Sequence, residues 1–166
     1  MAILFLMLAT YLAAALQASL APMIEVRHVM PDLFALVAVL WVLRPAGSHG
    51  FIAAGLVGLV YDLTSAAPLG IGLGLYSLAG YSIWVLRGKL DGNHLLVQLP
   101  IAWLATTIVA VGEAAAARLF GELTLPWTTL AVRAVSVGVY TTAVALPVLM
   151  VVGWLPRGAW RVVRGA

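Results

Sequence analysis

The chain contains no cysteine, which removes disulfides, thiolate metal sites and thiol nucleophiles from consideration. It is nearly as poor in charge. Six acids, nine bases and three histidines make up the ionisable set, and 9% charged residues compares with roughly 25% in soluble domains. So few charges cannot coat a globule of 166 residues, and lipid must therefore be part of the solvent. His28, His49 and His94 are scattered over polar connections, and none has a His or carboxylate at metal-ligand spacing on a helix. No nucleophile with a paired base and no phosphate loop is visible, so no cofactor is expected. Gly70-Ile-Gly-Leu-Gly74 lies in an apolar run and follows no strand, unlike a nucleotide loop.

Hydrophobic residues, by contrast, make up 64% of the chain, and mean hydropathy is +1.09. They fall into six apolar runs, at 2–21, 31–43, 51–67, 69–86, 95–120 and 126–155. A helix rises about 1.5 Å per residue, so roughly 20 residues cross 30 Å of hydrocarbon. The pattern predicts an all-α integral membrane protein, one domain of six transmembrane helices in a compact bundle. The second run is the shortest and is expected to tilt little or to cross incompletely. The first lacks a preceding base and exceeds the usual signal-peptide core, so it reads as a retained span. Residues 156–166 form a basic tail.

Orientation follows from the bases. In a six-span arrangement, Arg44, Arg87, Lys89, Arg157, Arg161 and Arg164 share one side, whereas Arg27 and Arg118 lie on the other. The richer side is predicted to be cytoplasmic, with both termini. Trp154 and Trp160 beside the tail arginines suit a headgroup boundary, where anionic lipid is the expected contact and not nucleic acid.

Three charges then fall inside spans: Asp62, Glu113 and Arg133. Counted from the predicted outer ends, all three lie about 7–11 Å deep. Each would cost roughly 2.5–3.5 kcal/mol at the bilayer centre if left alone. An ion-pair cluster facing the bundle interior is therefore expected, either fixing helix register or forming a solute or proton site.

Small residues supply the packing signals. Gly70 and Gly74 form a GxxxG, Ala54 and Gly58 a small-xxx-small pair, and Gly72, Ser77 and Gly80 thin the fourth run further. Such positions let helix backbones approach closely in lipid. Pro31-Asp32 reads as a helix start, proline fitting the first turn and the acid the positive dipole end. Tyr61 and Tyr76 read as packing or interfacial aromatics.

Read in order, Pro31-Asp32-Leu33, Arg44-Pro45, Gly58-Leu-Val-Tyr-Asp62-Leu-Thr-Ser65 and Leu69-Gly70 form a series within about sixty residues. This series resembles the MreD family of bacterial rod-shape-determining membrane proteins. The resemblance implies a non-enzymatic component of the cell-elongation machinery in the inner membrane. It implies binding to the single-pass protein MreC and, through it, connection to MreB filaments, the RodA glycosyltransferase and its transpeptidase. It also implies likeness to the six-helix substrate-binding subunits of energy-coupling-factor vitamin transporters. The rival reading is itself a solute-binding transporter subunit, with Asp62, Glu113 and Arg133 lining a pocket near Tyr61 and Tyr76. Such a pocket would need about 300–1,000 Å³.

Overall fold

The computed structural model describes residues 2–26, 29–43, 50–65, 68–89, 95–121 and 125–154. Arg27, His28, Arg44, Pro45, His49, His94, Arg157, Trp160, Arg161 and Arg164 lie outside the described residues, as do the side chains of Arg87, Lys89 and Trp154. One helix forms in each apolar run: α1 (Ala2–Ser19), α2 (Leu33–Leu43), α3 (Gly50–Thr64), α4 (Ile71–Lys89), α5 (Leu95–Leu119) and α6 (Trp127–Trp154). Among the described residues there is no strand, only a bridge at Val26 and Val29. The segments Val97–Leu119 and Trp127–Met150 are long and apolar enough to cross a membrane. Ile3–Ser19, Leu33–Leu43, Gly50–Thr64 and Ile71–Leu86 are shorter apolar helices.

The shortness of α2 has a packing explanation. This helix of 11 residues is apolar all round and touches all five other helices. Phe34, Ala35, Leu36, Ala38, Val39, Val42 and Leu43 are all buried. A helix apolar on every face belongs in a core, and here α2 is the axis around which the others pack. Burying one such side chain contributes about 1.5–3 kcal/mol when its alternative is water. In lipid the gain comes from close contact instead, which favours the small and β-branched side chains found here.

Helices α3 and α4 form the tightest pair. Their seam is lined by Ala54, Gly55 and Gly58 on one side and Gly72, Tyr76, Ser77 and Gly80 on the other. A Cβ on Gly58 would lie 2.4 Å from the Gly72 carbonyl oxygen, and one on Gly80 2.7 Å from the Ala54 Cβ. The expected Gly70–Gly74 pair does not take part: a Cβ at either position meets nothing within 4 Å. Gly70 instead has φ +100° in the turn before α4, a left-handed conformation that costs glycine nothing. The packing register thus runs through Gly72 and Gly80, two residues and six residues beyond the predicted pair's start and end.

Candidate functional site

Asp62, Thr141 and Tyr76, all buried, gather with Asp32 and Gln17 at the end where α3 meets α4 and where α2 begins, whereas buried Thr10 and Thr106 bond the backbone of their own helices. Asp62 sits one residue after Tyr61 near the close of α3 and is 3% exposed. Its Oδ2 accepts hydrogen bonds from the backbone N–H of Gly70 (2.9 Å) and Leu73 (3.0 Å), and its Oδ1 from that of Gly72 (2.7 Å). The first N–H groups of a helix have no partner inside it and carry partial positive charge. One carboxylate on α3 therefore caps α4 from across the hairpin. It satisfies three backbone donors that the helix itself leaves open.

Asp32 plays the corresponding part at α2. Its Oδ1 accepts from the Ala35 N–H at 2.9 Å, the usual bond of an N-cap residue to the third helical position. The helix begins at Leu33, so Pro31 lies one place outside the cap, where it is fully buried. The same residue is also a junction between helices. The Tyr76 hydroxyl of α4 donates to Asp32 Oδ2 at 2.9 Å, and the Asp32 N–H donates to Thr141 Oγ1 of α6 at 2.9 Å. One position on, the Leu33 N–H donates to Gln17 Oε1 of α1, also at 2.9 Å. Nearby, the Tyr140 hydroxyl donates to the Ile24 carbonyl. The start of α2 is thereby tied to α1 and α6 through its backbone N–H groups and to α4 through the Asp32 carboxylate.

From Asp32 the polar chain continues inward through aromatics. Tyr76 is fully buried and lies against Tyr61, ring centroids 5.5 Å apart. Tyr61 in turn meets Phe34 edge-on at 5.4 Å and faces the Glu113 carboxylate of α5. Glu113 also lies within electrostatic range of Asp32 and Asp62. Its Oε1 is buried and has no hydrogen-bond partner among the described residues. Removing the Tyr76 hydroxyl would strand one oxygen of Asp32, and an orphaned buried acceptor costs about 1–3 kcal/mol. Tyr76→Phe is therefore expected to lower the thermal midpoint in detergent, whereas Tyr81→Phe, on the exposed side of α4, should not.

The predicted three-charge cluster takes a different form. Asp62 and Glu113 do approach each other, but Arg133 lies exposed on α6. It makes no ion pair, hydrogen bond or ring contact among the described residues. Asp62 draws its compensation from backbone N–H groups eight to eleven residues onward and needs no guanidinium. Arg118, at the end of α5, stacks over Trp127 at 4.7 Å and donates to the Leu125 carbonyl, which braces the turn between α5 and α6. Ala54 and Gly58 lie in the α3–α4 seam; Gly70 serves the turn and Asp62's hydrogen bond; Gly74 faces outward. Arg44 and Pro45 lie outside the described residues.

Sequence reasoning missed Gln17, Thr141 and the role of Tyr76. Their bonds to the Asp32 region span 16, 109 and 44 positions, and no local pattern announces pairs so far apart. A small apolar cavity among the described residues has a volume of about 10 Å³. It lies beside Tyr76 between Ala35, Ala38, Ile83, Ala105 and Val109. That is the room of about one water molecule. Among the described residues, no group of three His, Cys, Asp or Glu side chains could hold a metal ion.

No curated protein and no solved structure matches the chain. A family match does exist: the profile described as rod shape-determining protein MreD fits residues 1–153, nearly the whole length and all of the motif series from Pro31 to Gly70. With six helices among the described residues, a capped and apolar core and that match, the chain belongs to the MreD family of bacterial membrane proteins that determine rod shape.

Proposed function

We propose that this protein is a non-enzymatic scaffold of the cell-elongation machinery that works by packing helix against helix. In this reading it crosses the bacterial inner membrane six times with both termini in the cytoplasm. It binds the single-pass protein MreC and through it joins MreB filaments to RodA and its transpeptidase. Family membership supplies the role in rod shape. The observation that carries the scaffold reading is the use of Asp32 and Asp62. Asp32 and Asp62 are taken up by helix caps and interhelical bonds, so they hold the bundle together and are not turned toward a ligand space. A likeness to the six-helix vitamin-binding subunits of energy-coupling-factor transporters would then be one of helix arrangement. The solute-binding function finds no support in a cavity of about 10 Å³ when small ligands take about 300–1,000 Å³.

Affinity purification of the tagged protein from its native membrane in mild detergent, with mass spectrometry of what accompanies it, tests this. The expected companion is a single-pass protein with a periplasmic domain. Recovery of a second multi-spanning subunit together with ATPases, and no such single-pass protein, would replace the scaffold with a transporter.

A further inference from the structure

The outer ends of the helices do not lie at one level. Helix α2 has 11 residues, about 16 Å of rise, and its start is pinned by its neighbours. The Asp32 N–H donates to Thr141 Oγ1, fourteen residues into α6, and the Leu33 N–H to Gln17 Oε1, two residues before α1 ends. The Tyr140 hydroxyl donates to the Ile24 carbonyl in the α1–α2 connection. That connection therefore sits about 21 Å below the start of α6. Helix α5 stays beside α6 up to that start: Gly138 lies against Thr107, and Arg118 stacks over Trp127. The outer surface thus has a step, low over α1 and α2 and high at the α5–α6 hairpin. From Thr141 to the inner end of α6 at Trp154 is about 20 Å, whereas the hydrocarbon of a bilayer is about 30 Å thick.

The face of α6 that overlooks the step is polar. Thr129, Arg133, Ser136 and Tyr140 recur at i, i+4, i+7 and i+11 and so share one face, which Tyr140 turns toward the connection. Val132, Val135 and Val139, all exposed, lie about 80–140° round the helix from Tyr140. Arg133 stands two turns above Tyr140, exposed and without a partner among the described residues. In hydrocarbon that charge would be costly; among headgroups it meets phosphate. In the connection, Met23 (79%) and Val26 (58%) expose apolar side chains, which suits a segment resting on acyl chains.

We propose that the outer leaflet is thinned beside α1, α2 and α6, so that phospholipid headgroups reach down to the α1–α2 connection and Arg133 binds their phosphate from the wall of the step. Thinning is an ordinary response of a bilayer to a short hydrophobic segment, and here a polar face of α6 lines the space that hydrocarbon vacates. The step rests on the proposed crossing of the membrane by these helices and not on the scaffold role.

The chain has no cysteine, so a nitroxide on one introduced cysteine reports one position. Met23→Cys, Val135→Cys, Ser136→Cys and Val139→Cys would be labelled in vesicles of phosphatidylethanolamine and phosphatidylglycerol. Each label's collisions would be measured with oxygen, with a water-soluble nickel complex and with nickel held on chelating lipid headgroups. Positions 23 and 136 are expected to meet both forms of nickel several-fold more than 135 and 139, which should favour oxygen. Positions 135 and 136 are adjacent, so a level bilayer must treat them alike. Arg133→Leu should lower the collisions of position 136 with lipid-borne nickel several-fold, and Arg133→Lys should retain them. Oxygen-favouring labels at 135, 136 and 139 alike would overturn the step while leaving the crossings intact. Nickel access at all three would lift the outer half of α6 out of the bilayer and overturn the step together with that crossing. Access of position 136 to soluble but not lipid-borne nickel would make the step a water-filled crevice and overturn the lipid contact. Collisions unchanged by Arg133→Leu would overturn the phosphate contact.

Discussion

Asp62→Ala is expected to lower the unfolding free energy of the detergent-solubilised protein by about 1–3 kcal/mol, since three backbone donors lose one shared acceptor, the buried N–H of Gly72 most severely, and an orphaned buried donor costs about 1–3 kcal/mol. The donors are the N–H groups of Gly70, Gly72 and Leu73, all at the start of α4, so the loss falls on the α3–α4 hairpin first. The carboxylate also meets the positive end of the α4 dipole, a favourable contact of about 0.3–1 kcal/mol at exposed sites and up to about 2 kcal/mol when partly buried. Asp62→Asn keeps the volume and one acceptor oxygen but turns an amide NH₂ toward N–H groups. Its stability should fall between those of the wild type and the alanine variant. Denaturant titration followed by circular dichroism measures all three. An alanine variant within about 0.5 kcal/mol of the wild type, the range of an ordinary surface change, would show that α4 finds other acceptors.

Gly58→Ala should have an effect of similar size for a different reason. The added Cβ would lie 2.4 Å from the Gly72 oxygen, 2.7 Å from the Gly72 carbonyl carbon and 2.9 Å from the Tyr76 Cβ. Two of those neighbours are backbone, so no rotamer change relieves the clash and the two helices must separate. Overpacking usually costs about 1–3 kcal/mol, and this contact belongs at or above the top of that range. Separation would also pull Gly72 from Asp62 and Tyr76 from Asp32, so the penalties compound. Gly74→Ala is the matched control: nothing lies within 4 Å of its added Cβ, and alanine is favoured in a helix by about 1 kcal/mol. That variant should be as stable as the wild type or slightly more so. If Gly58→Ala unfolds no earlier than Gly74→Ala, the seam is looser than the glycine geometry implies.

The sequence was most informative where one residue's chemistry decides the outcome locally. The apolar runs closed by Pro22 and by Arg44-Pro45 end within three residues of the ends of α1 and α2, whereas α4 continues through Arg87-Gly88-Lys89. The Pro31-Asp32 start was legible because capping lies within four residues. Asp62 was visible as a residue that needs compensation, but its compensators were misassigned. A count of charges sees Arg133 and overlooks backbone N–H groups, which every residue but proline carries and no sequence pattern marks.

What the sequence by itself determined is the solvent, the all-helical class, the number of helices and the family, because these follow from hydrophobic run length and from the order of the motifs between Pro31 and Gly70. Only the tertiary structure decided that α2 is the central axis, that Gly72 and Gly80 are the seam glycines in place of Gly70 and Gly74, and that Arg133 faces outward. The physical reason is rotational: run length sets where a helix begins and ends, but the face it buries depends on helices up to 109 residues away, as the bond from Asp32 to Thr141 illustrates. In an all-apolar helix such as α2, no polar stripe records that choice beforehand.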